Sequence, residues 1–314
     1  MRTILSFIFA AALGCLAAAA LAGCRDENGD GAARVHVVAT TPQVADLTRT
    51  VGGERVAVTQ ILSANSDPHE YEPRPSDAEA LLDADLVVRS GGDVDSWLDQ
   101  IVDASGTGAP ELSLIDEVGN PLDANGETDP HWWQNPRNAE LAVAAIATEL
   151  AEIDPEGAGG YERRAGTYRT RLRALDRSIA RCMDGIPADD RKLVSGHDAL
   201  AYYADRYGIE LVGAAIPSLS TQGQPSAGAL DELVAAIESG GVSAVFPEAG
   251  SNSDLEAAIA DETGAQLGGA LWTDTLGPPG SEAATYIGAL RSNTATLAAG
   301  FSGGREDCDG VLGR

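Results

Sequence analysis

The sequence predicts an α/β protein of two lobes, each with a mostly parallel sheet flanked by helices. Short runs rich in β-branched residues alternate with amphipathic stretches, which is the pattern of parallel strands joined by helices. The alternation occurs on both sides of one long proline-free stretch at 158–184, which predicts a single linking helix. The 314 residues are enough for two sizeable cores. We therefore expect an N-terminal lobe at 35–157 and a C-terminal lobe at 185–314.

The elements of the N-terminal lobe follow from hydrophobic runs and helix-capping residues. Strands are predicted at 35–39, 56–62, 86–88 and 112–115, and helices at 42–51, 76–84, 94–104 and 136–152. Ser76 is expected to cap the second of these helices. Asn135, followed by Pro136, is expected to cap the fourth. Residues 116–128 are expected to form an acidic, glycine-bearing loop.

The C-terminal lobe repeats the alternation. Strands are predicted at 192–195, 209–213, 243–246 and 266–271, and helices at 199–207, 226–239, 255–263 and 281–299. Three polar residues, His197, Glu248 and Asp274, come just after predicted strands. Ligands of parallel α/β sheets bind beyond the carboxyl ends of the strands, so these residues are expected at the rim of a cleft.

Histidine occurs at only four positions, and two of the four follow the same Asp-Pro pair, at 67–69 and 129–131. Proline fixes its own φ and pushes the preceding residue into an extended conformation. Each Asp-Pro-His therefore predicts a stiff loop that holds an imidazole in a set direction, as a metal ligand requires. His36 lies within a predicted strand and is expected to have a structural role.

His69, His131 and His197 together with one carboxylate would form a four-ligand site, the coordination number expected for zinc. Binding requires neutral imidazoles and an ionised carboxylate. The sequence leaves two roles open for Glu248. It is either a partner that orients a ligating imidazole or a residue of the turn that follows its strand.

The first 23 residues predict a bacterial lipoprotein signal peptide. Arg2 precedes an apolar run at 4–20, and the segment at 21–24 ends in Cys24 and resembles a lipobox. The run is too short to favour a transmembrane helix. We expect cleavage before Cys24, lipidation of that residue, and a flexible tether at 24–34. The protein would then be exported and lipid-anchored at the outer face of the cytoplasmic membrane, periplasmic or at the cell surface.

The net charge of −27 argues against nucleic acid as a partner, because an acidic chain repels it and attracts cations. Cys182 and Cys308 are the only cysteines beyond Cys24. Since an exported protein meets oxidising conditions, we expect them to form a disulfide, with two separate thiols as the alternative.

At these motifs the sequence resembles the TroA-like (cluster 9) family of metal-specific solute-binding lipoproteins of ABC importers. The resemblance covers nearly all of 35–300. It rests on the segments at 69–73, 84–88, 97–98, 129–133, 196–199, 207–208, 225–226 and 246–248. It implies a metal bound between the lobes by His69, His131, His197 and Asp274. Asn135 stands where the family usually has Asp, and the histidine-rich loop of some zinc-specific members is missing, with the acidic loop at 116–128 as a candidate substitute.

The resemblance implies a monomeric carrier, not an enzyme, that captures Zn²⁺ and delivers it to an ABC permease. Zinc is favoured because manganese carriers of the family tend to have a carboxylate at the position of His197. A carrier of Mn²⁺ or iron is the first alternative. A zinc-dependent hydrolase with an open coordination position and a surface adhesin are the others, although the sequence contains no zincin or nucleophile motif.

Overall fold

The computed structural model describes residues 34–119, 121–124, 126–306 and 308–313. Residues from Arg34 to the C-terminus form one compact unit. The predicted signal peptide, Cys24 and all of the tether except Arg34 lie outside the described residues. Within the described part, no helix combines the length and apolar composition needed to cross a bilayer.

The N-terminal half is built around a four-stranded parallel sheet. Its elements are β1 (Val35–Ala39), α1 (Pro42–Gly52), β2 (Val56–Gln60), α2 (Pro75–Leu82), β3 (Leu86–Arg89), α3 (Leu98–Ser105) and β4 (Glu111–Ser113). The strand order is β2-β1-β3-β4, and every neighbouring pair is parallel. The central strands β1 and β3 are almost continuously apolar because helices cover both faces of such a sheet.

A short hairpin and two long helices follow. They are β5 (Asp123–Ala124), β6 (Glu127–Thr128), α4 (Pro136–Ile153) and α5 (Ala158–Asp184). The predicted acidic loop therefore contains an antiparallel hairpin. Asn135 caps α4 as predicted, since its side chain accepts a hydrogen bond from the backbone N–H of Arg137 at 3.0 Å.

The C-terminal half also consists of parallel strands and helices. Its elements are β7 (Lys192–His197), α6 (Ala201–Tyr207), β8 (Glu210–Ile216), α7 (Ala227–Gly240), β9 (Ala244–Val245), α8 (Asp254–Thr263), β10 (Gln266–Leu267), α9 (Tyr286–Ser302) and α10 (Asp309–Leu312). β7 pairs with β8 and β9 pairs with β10, both in parallel. The N–H of Phe246 donates to the carbonyl of Val194 at 2.9 Å, which joins the two pairs side by side.

The predicted linking helix is present as α5, and it packs against both halves of the compact unit. It contacts α1 and α4 of the N-terminal half and α6, α9 and α10 of the C-terminal half. Its buried face includes Leu172, Leu175 and Ile179, at the spacing that places side chains on one side of a helix. The predicted disulfide joins Cys182 near the end of this helix to Cys308, with 5.6 Å between the Cα atoms.

Several predicted helix starts differ from the structure, and hydrogen bonds near the start explain three of them. Ser76 is not a cap: α2 begins at Pro75, and the Asp77 carboxylate accepts the N–H of Arg74 at 2.7 Å. The helix predicted at 94–104 begins only at Leu98. A separate 3-10 turn at Asp93–Asp95 precedes it, in which the buried Asp95 carboxylate accepts the backbone N–H of Ser90. The last long helix begins at Tyr286 and not at 281, because Thr285 caps it.

Candidate metal centre

Four predicted ligand residues from four separate segments meet in a cleft between the two halves. His69 lies in the loop after β2, and His131 lies just before the 3-10 turn at Trp132–Gln134. His197 is the last residue of β7, and Asp274 lies in the loop after β10. All four side chains are at most 7% exposed. The cleft thus receives two of these residues from each half of the chain.

The donor atoms of this group are spaced as they would be around one metal ion. The Nε2 atoms of His69 and His197 lie 3.3 and 3.2 Å from Oδ2 of Asp274. Nε2 of His131 lies 3.5 Å from Oδ1 of Asp274 and 3.3 Å from Nε2 of His197. An ion with four bonds of ~2.0–2.1 Å in a tetrahedron places its ligand atoms about 3.3 Å apart.

The same atoms lack hydrogen-bond partners in the described structure. Nε2 of His69 and both carboxylate oxygens of Asp274 are buried without a donor or acceptor that satisfies them. Buried polar atoms are nearly always satisfied, because leaving one unpaired costs free energy. A divalent cation at the centre of the group would satisfy all three atoms, so the residues present fit such an ion.

Two carboxylates orient two of the imidazoles by contacting Nδ1, the ring nitrogen that does not face the centre. Oδ1 of Asp129 lies 2.7 Å from Nδ1 of His131, and it also accepts the His131 backbone N–H at 2.9 Å. Oε1 of Glu248 lies 2.5 Å from Nδ1 of His197 and accepts the His197 backbone N–H at 2.7 Å. With Nδ1 engaged, each ring presents Nε2 to the centre. For Glu248, the geometry matches the reading of an orienting partner.

The two Asp-Pro-His motifs are alike in their backbone and different at their rings. Asp67 accepts the N–H of His69 at 2.9 Å, just as Asp129 accepts that of His131. Nδ1 of His69, however, has no hydrogen-bond partner among the described residues. The His69 segment is anchored through its backbone instead, because Gln222 donates to the His69 carbonyl at 2.5 Å.

The electrostatics of the centre depend on the same carboxylates. Burial by itself would lower the pKa of His197, but the adjacent carboxylates of Glu248 and Asp274 outweigh it and raise that pKa well above its usual range. Burial by itself would raise the pKa of Asp274, but the imidazoles of His197 and His131 hold it well below its usual range. Asp274 is therefore ionised at neutral pH and available as an anionic ligand.

Sequence reasoning did not identify several residues that support the centre. Asp129 was recognised only as part of a stiff motif, although its position two residues before a histidine was a signal for a bond to that residue. The carbonyl of Thr273 accepts hydrogen bonds from Trp133 at 2.8 Å and from Gln134 at 2.7 Å. These bonds tie the loop of Asp274 to the turn after His131, and no local sequence pattern reveals them.

The fourth histidine and three nearby tryptophans lie outside the ligand group. The side chain of His36 is exposed on β1. Trp133 is buried, with its ring centroid 5.3 Å from that of His131, so it forms part of the wall beside the centre. Trp132 belongs to the main hydrophobic core, and Trp272 packs at the edge of a smaller cluster with Leu276.

The chain matches known proteins over most of its length. A family model described as "ZnuA: Zinc-uptake complex component A periplasmic" matches residues 37–300. The chain is 32% identical to the manganese-binding lipoprotein MntA of Halalkalibacterium halodurans, over 88% of this chain and 90% of that protein. It is 28% identical to the iron-binding protein YfeA of Yersinia pestis, over 96% of each.

Comparison with a solved structure also supports membership of this family. The periplasmic zinc-binding protein TroA from Treponema pallidum superposes with a TM-score of 0.80 and 26% identity, covering 85% of this chain and 99% of that one. Its α/β fold agrees with the predicted parallel sheets flanked by helices. The matched proteins are substrate-binding components of metal importers and not enzymes, which removes support from the hydrolase alternative. The chain belongs to the ZnuA/TroA family of metal-binding, solute-binding proteins of ABC importers.

Proposed function

We propose that this protein captures Zn²⁺ outside the cytoplasm and delivers it to an ABC permease. The observation that carries the proposal is the spacing of three imidazole Nε2 atoms and the Asp274 carboxylate, which suits one tetrahedral ion. His69, His131, His197 and Asp274 would be the ligands. Asp129 and Glu248 would orient two of the imidazoles.

The ligand chemistry favours zinc. Three nitrogen donors and one carboxylate suit Zn²⁺, whereas Mn²⁺ prefers sites with more oxygen donors and more ligands. The donor spacing supports the same choice, because longer bonds to a larger ion would require wider separations. The structural similarity to a protein described as zinc-binding is consistent with this choice.

A manganese carrier is the second candidate, and two observations favour it. Asp274 approaches His131 through Oδ1 and the other two imidazoles through Oδ2, so both of its oxygens face the centre and could supply a fifth donor. Relatives at 32% and 30% identity are manganese-binding lipoproteins. An iron carrier has the support of one relative, YfeA.

The cargo is tested in cells, because most nitrogen and oxygen sites bind zinc more tightly than manganese in solution. A strain that lacks the protein is expected to stop growing in zinc-poor medium and to recover when zinc is added. Cellular zinc, measured by elemental analysis, should fall in this strain while manganese remains at the parental level.

Restoration of the gene is the control for the deletion, and it should return both growth and zinc content to the parental values. Recovery with manganese alone, together with a loss of cellular manganese, would show that the second candidate is correct.

Glu248→Gln is expected to weaken metal binding by about 10–100-fold, the usual cost of losing a partner behind a ligating histidine. The amide keeps the size of the side chain but removes the negative charge that holds Nδ1–H of His197. Calorimetric titration with Zn²⁺ measures the change. Glu238→Gln makes the same substitution at an exposed position of α7 and should leave the affinity unchanged. Equal affinities for both variants would contradict the orienting role.

The envelope location is part of the proposal. Residues 1–23 would be removed as a signal peptide, Cys24 would carry the lipid anchor, and 24–34 would tether the carrier to the membrane. The protein would act as a monomer, with lobes at 35–157 and 185–314 joined by α5. The description of relatives as lipoproteins supports the anchor.

A further inference from the structure

A polar cavity of about 290 Å³ lies beside the ligand group, with His197 in its wall. Four carboxylate residues line it, together with side chains that can accept hydrogen bonds. These residues are Asp67, Glu70, Thr221, Glu248, Asn252 and Glu256. Neither lysine nor arginine is among its described lining residues. The cavity therefore concentrates negative charge next to the metal centre.

Glu256 is the residue of this cavity that lacks a partner. It is only 5% exposed, and its Oε2 has no hydrogen-bond partner in the described parts of the chain. Glu256 lies in the first turn of α8, where the helix dipole stabilises a carboxylate. That position does not supply a hydrogen-bond donor to Oε2. Oγ1 of Thr221, in the same cavity, is also buried and unsatisfied. Two such atoms in one cavity indicate a bound polar species.

A narrow crevice shares walls with both this cavity and the metal centre. The crevice holds about 10 Å³, close to the space that one water needs, and is lined by Asp67, Glu248, Gly250 and Ser251, which also line the cavity. Its other walls include Asp274. Only this crevice would separate an ion in the cavity from the carboxylate of Asp274.

We infer that the cavity is a second cation site, which holds a hydrated divalent metal ion on its way to the ligand group. The role as a station on the entry route rests on the proposed function, whereas the binding of a hydrated cation does not. Six waters at ~30 Å³ each occupy about 180 Å³, which fits the cavity. Among the described residues, only the group around Asp274 has ligand atoms close enough to share one ion directly. Binding in the cavity would therefore be through water, and weak.

Glu256→Gln removes the buried charge and is expected to slow Zn²⁺ capture at the ligand group. The rate constant of association should fall about threefold or more, within the range of local electrostatic effects on association. The rate constant of dissociation should fall as well, because the ion leaves by the same route. The Kd, which is the ratio of the two rate constants, should therefore change much less than either of them. Stopped-flow Trp fluorescence of the chain from Arg25 onward gives both rates, since Trp133 lies beside His131.

Glu262→Gln is the matched control, because Glu262 lies on the same helix with its side chain exposed. It makes the same change in net charge and should leave the association rate within a factor of about two, since salt screens exposed charges. Equal rates for the two variants would overturn the entry role.

The site itself is tested with the ligand group already filled by one equivalent of Zn²⁺. Electron paramagnetic resonance of added Mn²⁺ should then detect one weak, exchangeable ion, lost in Glu256→Gln and retained in Glu262→Gln. Thr221→Val, which leaves the net charge unchanged, should also weaken the binding of this Mn²⁺ ion. It replaces Glu256→Gln as the test if that variant does not fold. Mn²⁺ binding that neither cavity substitution alters would overturn the inference. If the parent protein takes up no first equivalent of Zn²⁺ but keeps the weak Mn²⁺ ion, the proposed function fails and the cavity site stands.

Discussion

Replacing His197 by alanine is expected to weaken Zn²⁺ binding by more than about 100-fold, beyond the usual cost of losing an outer partner. The substitution removes one of four donors and leaves the Glu248 carboxylate buried with no imidazole to hold. Asp274 would also lose the imidazole that lies 3.2 Å from its Oδ2. Calorimetric titration of metal-free protein with Zn²⁺ measures the loss.

His36→Ala is the matched control for this variant. It also removes one imidazole, but from an exposed position on β1, and should bind like the parent. His131→Ala should behave like His197→Ala, since His131 is fully buried and its ring is held by Asp129. A His197→Ala variant with the affinity of the parent would remove this residue from the proposed ligands.

Removing the disulfide is expected to lower the free energy of unfolding by about 2–5 kcal/mol. Cys182 and Cys308 are separated by 126 positions, so the bridge closes a very long loop and restricts the unfolded chain strongly. The chain-entropy model gives about 4–5 kcal/mol for such a loop, which is an upper figure. The variant with both residues changed to serine should unfold at a lower urea concentration than the oxidised parent.

The reduced parent is the control for this experiment. Reductant should shift its unfolding toward that of the double-serine variant and should leave the variant itself unaffected. A parent and variant with the same urea midpoint would show that the bridge contributes nothing to stability. Two reactive thiols in the denatured, unreduced parent would show that the bridge does not form at all.

Much of the fold could be predicted because its signals are local. Asn135 with Pro136 predicted the start of α4, since a cap and a fixed φ act within two or three residues. The alternation of apolar runs and helices predicted the parallel sheet of β1 to β4, since strand burial is reflected in composition. Some helix starts were missed at local caps such as Thr285, and distant residues contribute to some of them. The first turn of α9 is set partly by Asp46, whose carboxylate accepts the N–H of Tyr286 from 240 positions away.

The sequence by itself determined the α/β class, the two stiff Asp-Pro-His loops and the placement of His197 at the carboxyl end of a strand. Each of these depends on residues that are neighbours along the chain. Only the tertiary structure decided that Glu248 holds the ring of His197, 51 positions away. It alone decided that Glu256 faces a cavity beside the centre. Such contacts depend on how whole strands and helices pack, and no local pattern encodes the direction in which a side chain meets a distant one.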